Sequence, residues 1–212
     1  MSLLLIAGSS FVLGFSGACM PGPLLTVTID ETLRRGPWAG PLLVLGHGLL
    51  EVIVVLLVLA GLGDWINQPA VFSVIALAGC IMLLWMAYGM LRSLPQLRLD
   101  LSGEARAGLH PVLAGALVSL ANPYFTVWWA TIGLGYLVVA AEAGTIGVIV
   151  FFIFHLLSDL VWYAFISGSV SLGRNFLTVR AYRGLVGFCA VFLLGFGLYF
   201  GWLGYSRFMT GV

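Results

Sequence analysis

Charged residues are so sparse in this chain that they divide it into six long apolar segments. Of its 212 residues, 61% are hydrophobic and only 8% are charged, whereas a soluble domain carries about 25% charged residues. A chain with so few charges cannot present a water-solvated surface on every side, so lipid must be its main solvent. Its nine cationic residues are all arginines and form no basic stripe, so no nucleic-acid partner is expected.

Each apolar segment is long enough to cross a membrane, because a transmembrane helix needs about 20 apolar residues. Two of the segments each contain one acidic residue, Glu51 and Asp159. We therefore predict an all-α membrane protein in which residues 1–212 form a single transmembrane domain. The six predicted transmembrane cores are residues 4–28, 39–61, 70–91, 112–134, 146–168 and 184–205.

The arginines alternate along the predicted loops. Eight of the nine lie in the first, third and fifth loops, while the second and fourth loops hold Asp64 and Glu142 and no arginine. Short loops rich in arginine stay in the cytoplasm. The pattern therefore predicts a multi-pass protein of the plasma (inner) membrane with both termini outside.

The two halves of the chain resemble each other. Residues 23–27 read Pro-Leu-Leu-Thr-Val and residues 123–127 read Pro-Tyr-Phe-Thr-Val, and a His-x-x-x-acid pair in the second span recurs 108 residues later in the fifth. Each half contains three spans, so the second half must enter the membrane with opposite polarity. We predict two inverted-topology three-helix repeats, at about residues 1–95 and 108–208, with the substrate site at their interface.

Two proline motifs interrupt the first and fourth predicted spans. Proline cannot donate the helical hydrogen bond, so the motifs at residues 21–23 and 122–123 should leave the carbonyl groups of Gly17, Cys19 and Ser119 without their helical partners. Asn122 is suited to cap a new half-helix, whose N-terminal N–H groups favour a carboxylate. One turn after each break, a threonine could add a hydroxyl contact. The predicted substrate-binding residues are Pro21, Gly22, Pro23, Thr26, Asn122, Pro123 and Thr126.

Four ionisable residues lie near the middle of their spans. His47 and Glu51 are four residues apart, as are His155 and Asp159, so each pair lies on one face of its helix. A charge at that depth costs at least about 2.5–3.5 kcal/mol, and such groups usually face the bundle interior. We predict that both pairs meet at one central site. Glu51 and Asp159 would hold a substrate cation or a proton, and the histidines, which titrate near neutral pH, would tune them. A polar clasp between helices is the alternative.

The motifs of both halves occur together in a known family. The first half has Pro21-Gly22-Pro23, spaced glycines between residues 36 and 46, and an acid in the second span; the second half has Asn122-Pro123 and the His-x-x-x-Asp-Leu-Val-Trp stretch at residues 155–162. In this combination the chain resembles the LysE/RhtB amino-acid exporters over nearly its whole length. His47 matches no motif of that family, which leaves open a substrate different from those of the well-known members.

The resemblance implies a secondary transporter that exports amino acids or close derivatives, driven by the proton gradient. It implies a small-molecule substrate and the lipid bilayer as partners. A homodimer stays open because Gly197 and Gly201 form a Gly-x-x-x-Gly motif, which serves either packing within the chain, the expected use, or dimerisation. Neither enzymatic activity, a cofactor nor a resident metal is expected from the resemblance.

Three other functions remain open from the residues. Two histidines and two carboxylates could serve a divalent metal-ion exporter, because imidazole and carboxylate groups together suit such ions. A membrane thiol–disulfide enzyme would need paired intramembrane cysteines, but the residue one hundred positions after Cys19 is Ser119. A non-transporting scaffold would leave the acids at mid-membrane unexplained.

Reporter fusions can test the orientation. We expect fusions in the loops that contain Arg35, Arg98 and Arg180 to report a cytoplasmic position, and fusions at both termini to report the outside, because arginines are retained in the cytoplasm. A cytoplasmic C-terminus in a chain whose last span is intact would contradict this orientation.

Overall fold

The computed structural model describes residues 2–62, 68–97, 108–173 and 178–210, and these residues form helices and short connections without a β-strand. Several predicted loop residues, including Asp64, Arg98, Arg106 and Arg174, lie outside the described residues. The α-helices of the described part are α1 (Leu3–Ala18), α2 (Pro23–Arg35), α3 (Ala39–Leu57), α4 (Pro69–Ser93), α5 (Pro111–Leu120), α6 (Pro123–Trp128), α7 (Leu134–Ala141), α8 (Gly144–Gly173) and α9 (Val179–Thr210).

Shorter helical turns extend some of these helices. A π-helical turn follows α6 at Trp129–Gly133, and a 3-10 turn follows α4 at Leu94–Gln96. After α3, the segment Val58–Leu62 is kinked at Gly61, whose φ is 103°. π turns are frequent at functional sites. The turn after α6 is the one that bears on function, because it carries Trp129 into the protein interior, where this side chain is buried.

Four helical segments of the described chain are long and apolar enough to cross a membrane. They are Ala39–Gly61, Pro69–Gln96, Gly144–Gly173 and Val179–Met209. The pair α1 and α2 adds a fifth span if it is taken as one, although the two helices are bent by 78°. The sequence predicts six spans, and the remaining one, residues 112–134, is divided among α5, α6 and the π turn. The chain is therefore an all-helical membrane protein, and the sixth span stays a prediction.

Both predicted helix breaks are present. α1 ends at Ala18 and α2 begins at Pro23 after an extended Gly22. α5 ends at Leu120 and α6 begins after Asn122, whose side-chain oxygen accepts a hydrogen bond of 3.1 Å from the backbone N–H of Tyr124. The predicted N-cap is thus confirmed.

Two of the three carbonyl groups expected to lose their partners, those of Gly17 and Ser119, accept other hydrogen bonds, which corrects the sequence-based expectation for these two. The Gly17 oxygen accepts from the N–H of Met20 at 3.0 Å, and the Ser119 oxygen accepts from the N–H of Asn122 at 3.1 Å. A tight turn at each break therefore replaces the helical hydrogen bond that proline removes.

The helices pack in three main pairs, α1 with α8, α3 with α5, and α4 with α9. In the first pair, Ile6 near the start of α1 lies in the same apolar cluster as Phe151 of α8, and Ala18 at the end of α1 lies in the same cluster as the later Tyr163. α1 and α8 therefore run in the same direction.

The other two pairs differ from each other: α3 and α5 are parallel, whereas α4 and α9 are antiparallel. His47 of α3 contacts Ser119 of α5, and earlier in both helices Gly115 contacts Leu43, so α3 and α5 are also parallel. α4 and α9 are antiparallel, because Gly187 of α9 contacts Leu94 of the 3-10 turn that extends α4, whereas the later Gly201 and Gly204 contact progressively earlier residues of α4. A Cβ atom on Gly201 would lie 2.9 Å from the sulfur of Cys80, so this glycine serves packing within the chain.

Arginine side chains join the connections that the sequence places on one side of the membrane. Arg35, at the end of α2, donates 3.2 Å to the carbonyl oxygen of Leu109, just before α5. Arg183, near the start of α9, donates 2.6 Å to Pro95 and 2.9 Å to Leu97, just after α4. The first, third and fifth connections therefore share one side of the molecule, as their arginine content predicts.

Gly115 should not tolerate a side chain. A Cβ atom there would overlap the carbonyl oxygen of Leu43, which belongs to the backbone of α3 and cannot rotate away. We expect Gly115→Ala to destabilise the protein by about 1–3 kcal/mol, as overpacking does, and to lower the melting temperature of the detergent-solubilised protein. Gly89→Ala is the matched control, because nothing lies within 4 Å of its Cβ position. Equal melting temperatures for the two variants would contradict the close contact of α3 and α5.

Candidate functional site

A cavity of about 60 Å³ lies in the middle of the bundle, between the two helix breaks. Residues from the end of α1, the middle of α3, the end of α5, α6 and the π turn after it, and the middles of α8 and α9 line it. Most of the wall is apolar or aromatic. The polar part of the wall contains the four ionisable side chains predicted from the sequence, His47, Glu51, His155 and Asp159.

Glu51 is the most enclosed of these side chains, with a relative exposure of 1%. Its Oε1 atom lies 2.8 Å from Nε2 of His155 and 3.2 Å from Nε2 of His47, and it accepts a hydrogen bond of 3.2 Å from the indole N–H of Trp129. The Oε2 atom has no hydrogen-bond partner among the described residues. One oxygen of this carboxyl group is therefore held by three side chains, whereas the other is buried without a hydrogen bond in the described part of the chain.

Asp159 is also buried, at 3% exposure, but its partners are further away. Its Oδ2 atom lies 3.8 Å from Nε2 of His47 and 3.9 Å from Nε2 of His155, beyond hydrogen-bond distance, and makes no hydrogen bond within the described part of the chain. The two His-x-x-x-acid pairs thus lie together, as the sequence predicts, but both histidines lie closer to Glu51 than to Asp159. The part that each side chain plays in transport stays a prediction.

The remaining nitrogen of His47 is also engaged. His47 Nδ1 and the hydroxyl of Ser119 share a hydrogen bond of 2.7 Å between α3 and α5, and the ring packs edge-on against Phe125 at 5.4 Å. These contacts fix the plane of the imidazole and direct Nε2 toward Glu51 and Asp159. The ring of His155 is likewise held, by stacking on Trp128 at a centroid distance of 4.7 Å.

Of the residues predicted at the breaks, Pro21, Gly22 and Asn122 line the cavity. Pro23 and Pro123 are the first residues of α2 and α6, and they are not among the residues that line the cavity. The structure does not bring the two predicted threonines to the cavity. The hydroxyl of Thr26 donates 2.8 Å to the carbonyl oxygen of Pro23 within its own helix, and Thr126 is exposed on the outside of the bundle.

Several residues of the site are not evident from the sequence. From the sequence, Trp128, Trp129 and Tyr163 are expected to be core or membrane-interface aromatics, yet all three line the cavity. The sequence contains a sign that Ser119 belongs to the site, because Ser119 precedes Pro123 by four residues as Cys19 precedes Pro23. It contains no such sign for Trp129, because the inward direction of this side chain depends on the π turn at Trp129–Gly133.

Comparison with known proteins identifies the family. The pattern described as LysE type translocator matches residues 15–204. The chain belongs to this family. It is therefore a membrane transporter rather than an enzyme, and the two helix breaks and both His-x-x-x-acid pairs fall inside the matched region.

Two curated relatives of this LysE type translocator match along nearly their whole lengths. One is named "Putative amino acid efflux protein YcgF", from Bacillus subtilis (strain 168), and is 27% identical over 94% of this chain and 96% of its own. The other is named "Chemotactic transduction protein ChpE", from Pseudomonas aeruginosa, and is 30% identical over 91% of this chain and 96% of its own. No solved structure matches the chain.

Proposed function

We propose that this translocator exports amino acids or close derivatives across the plasma membrane, coupled to protons and by alternating access. The observation that carries the proposal is the central cavity, where two buried carboxyl groups and two histidines lie next to two helix breaks. Ionisable groups at membrane depth that face a cavity are typical of substrate and proton pathways. The family supports transport, and the name of the Bacillus relative supports amino acids as substrates.

The proposed architecture is six alternating spans in two inverted repeats, at about residues 1–95 and 108–208. Three helix directions support it. In six alternating spans, the first and fifth run parallel, as do the second and fourth, while the third and sixth run antiparallel. The pairs α1 with α8, α3 with α5, and α4 with α9 have these relative directions. In this architecture the breaks after α1 and α5 occupy equivalent positions, and the site lies at the repeat interface.

The cavity suits both charged groups of an amino acid. The ammonium group would lie against Glu51 and Asp159, whose free oxygens have no other partner in the described structure. The carboxylate would lie at the breaks, near Gly22 at the start of α2 and the amide of Asn122, because helix N-termini attract anions. Among the described residues that line the cavity there is no arginine, which supports a substrate that brings its own positive charge.

The size of the cavity favours a small amino acid. A single enclosed water needs about 10–15 Å³, so a cavity of about 60 Å³ holds about four to six groups of that size. Tyr124, Phe192 and Phe196 stand among the apolar wall residues. A small substrate with an apolar side chain therefore fits this site better than a long or acidic one.

Coupling to protons would use the same carboxyl groups. Glu51 and Asp159 would carry the ammonium or the driving proton in turn, with His47 and His155 adjusting how readily each carboxyl group releases it. Rocking of one repeat against the other would then expose the site to each side of the membrane. With the arginine-rich connections in the cytoplasm, both termini lie outside.

A metabolite efflux screen tests the substrate. Cells that express the protein should release one or more small amino acids faster than cells that do not, and Glu51→Gln should abolish this release. Loss of one partner in a buried charge pair costs about 2–5 kcal/mol, equal to roughly 30-fold or more in affinity. Glu142→Gln, which alters an exposed acid outside the site, is the matched control. Unchanged release by the Glu51 variant at equal expression would contradict the proposed site.

Proton coupling has its own test. We expect net uphill efflux of the substrate to stop when a protonophore collapses the proton gradient, because the carboxyl groups can then no longer be loaded from one side and unloaded on the other. The measurement is the ratio of external to internal substrate before and after collapse. Uphill efflux that continues undiminished would show that protons do not drive the transporter.

A further inference from the structure

We propose that His47, Glu51 and Asp159 form a binding site for one divalent transition-metal ion, such as Zn²⁺ or Co²⁺. Each of the three offers one ligand atom, and these atoms all lie within 4.8 Å of one another. The site occupies the same cavity as the proposed amino-acid substrate, but it recognises a different ligand, so each can be tested without the other.

The distances suit a small ion. Zinc–nitrogen and zinc–oxygen bonds of about 2.0–2.2 Å at tetrahedral angles place neighbouring ligand atoms about 3.4 Å apart. His47 Nε2 and Asp159 Oδ2 are 3.8 Å apart, and each of these residues has a ligand atom within 4.8 Å of a carboxylate oxygen of Glu51. Closing these separations to about 3.4 Å would complete the coordination.

Two carboxylate oxygens of the cluster lack other partners in the described part of the chain. Oε2 of Glu51 and Oδ2 of Asp159 are buried and make no hydrogen bond within the described residues. Two unpaired carboxylate oxygens inside a membrane protein are costly. A divalent cation neutralises both carboxylates at once, whereas one ammonium group neutralises only one of them.

A second layer of contacts orients these ligands. A metal-bound histidine commonly donates its other ring N–H to a neighbouring group, and Nδ1 of His47 is 2.7 Å from the hydroxyl of Ser119. With the proton on Nδ1, Nε2 keeps its lone pair and can coordinate the ion. His155 and the indole of Trp129 hold Oε1 of Glu51, which leaves Oε2 for the ion.

The donor set indicates the class of metal. One imidazole nitrogen with two carboxylate oxygens, and no thiolate among them, suits Zn²⁺, Co²⁺ or Mn²⁺ rather than the soft Cu⁺. Mg²⁺ and Ca²⁺ prefer sites made of oxygen alone. Three protein ligands leave a fourth position that faces the cavity, where water or a small chelating molecule would bind.

The test is a calorimetric titration of ZnCl₂ into the full-length protein, purified without a polyhistidine tag and stripped with a chelator. We expect saturable binding of one ion per chain. Asp159→Asn should weaken binding by at least about tenfold, and Ser119→Ala, which touches no proposed ligand atom of the ion, by about 10–100-fold, as the loss of an outer partner does. His110→Gln should leave binding unchanged, because His110 is exposed and outside the cluster.

Absence of saturable Zn²⁺ binding, or equal affinity in Asp159→Asn and the unmodified chain, would overturn the metal site. Gel filtration of each variant ensures that a loss of binding is not a loss of folding. Amino-acid efflux in chelator-treated vesicles separates the two proposals, because efflux without zinc binding would leave the export function standing. Competitive inhibition of that efflux by Zn²⁺ in the unmodified protein would support a shared cavity.

Discussion

One buried carboxyl group, that of Glu51, dictates how the helices around it are arranged. A carboxylate inside a membrane protein is tolerated only when hydrogen-bond partners surround it. Here the partners come from different segments: His47 on the same helix, His155 on α8, and Trp129 on the π turn after α6. Those segments must approach within hydrogen-bond distance of one point. Glycines at the helix contacts, such as Gly14 against His155, make that approach sterically feasible.

The helix breaks next to this carboxyl group obey the same physical rule. Within the hydrocarbon region, an irregular backbone is tolerated only where it is enclosed by protein or lines a cavity. Both breaks line the cavity, and their carbonyl groups at Gly17 and Ser119 are satisfied by tight turns. The breaks thus place backbone N–H groups at the site while these two carbonyl groups keep a hydrogen bond. A simple proline kink on the outside of the bundle would offer no such surface.

Sequence patterns predict this fold and much of its site because they report strong, local physical effects. Proline at positions 21, 23 and 123 must interrupt a helix, and acids at 51 and 159 must avoid lipid, whatever their surroundings. The residues that the sequence does not reveal are those whose direction depends on tertiary geometry. Trp129 turns inward through a π turn, and Thr126 faces outward although its position relative to Pro123 suggested a site residue. The count of spans is also hard to predict, because α5 and α6 divide one apolar segment into short pieces.

The unequal hydrogen bonding of the two carboxyl groups bears on how the transporter divides its time between conformers. If the halves are inverted repeats of identical sequence, exchanging their roles gives a second conformer of equal free energy, with Asp159 holding both histidines. The halves differ at two positions of the site: Ser119 stands where the first half has Cys19, and Trp129 stands where it has Ile29. Ser119 and Trp129 each contribute one hydrogen bond, to His47 and to Glu51, and one such bond is worth about 1 kcal/mol. A difference of about 1.4 kcal/mol changes a population ratio tenfold. In the proposed alternating-access cycle, these two side chains would then set which conformer is preferred at rest.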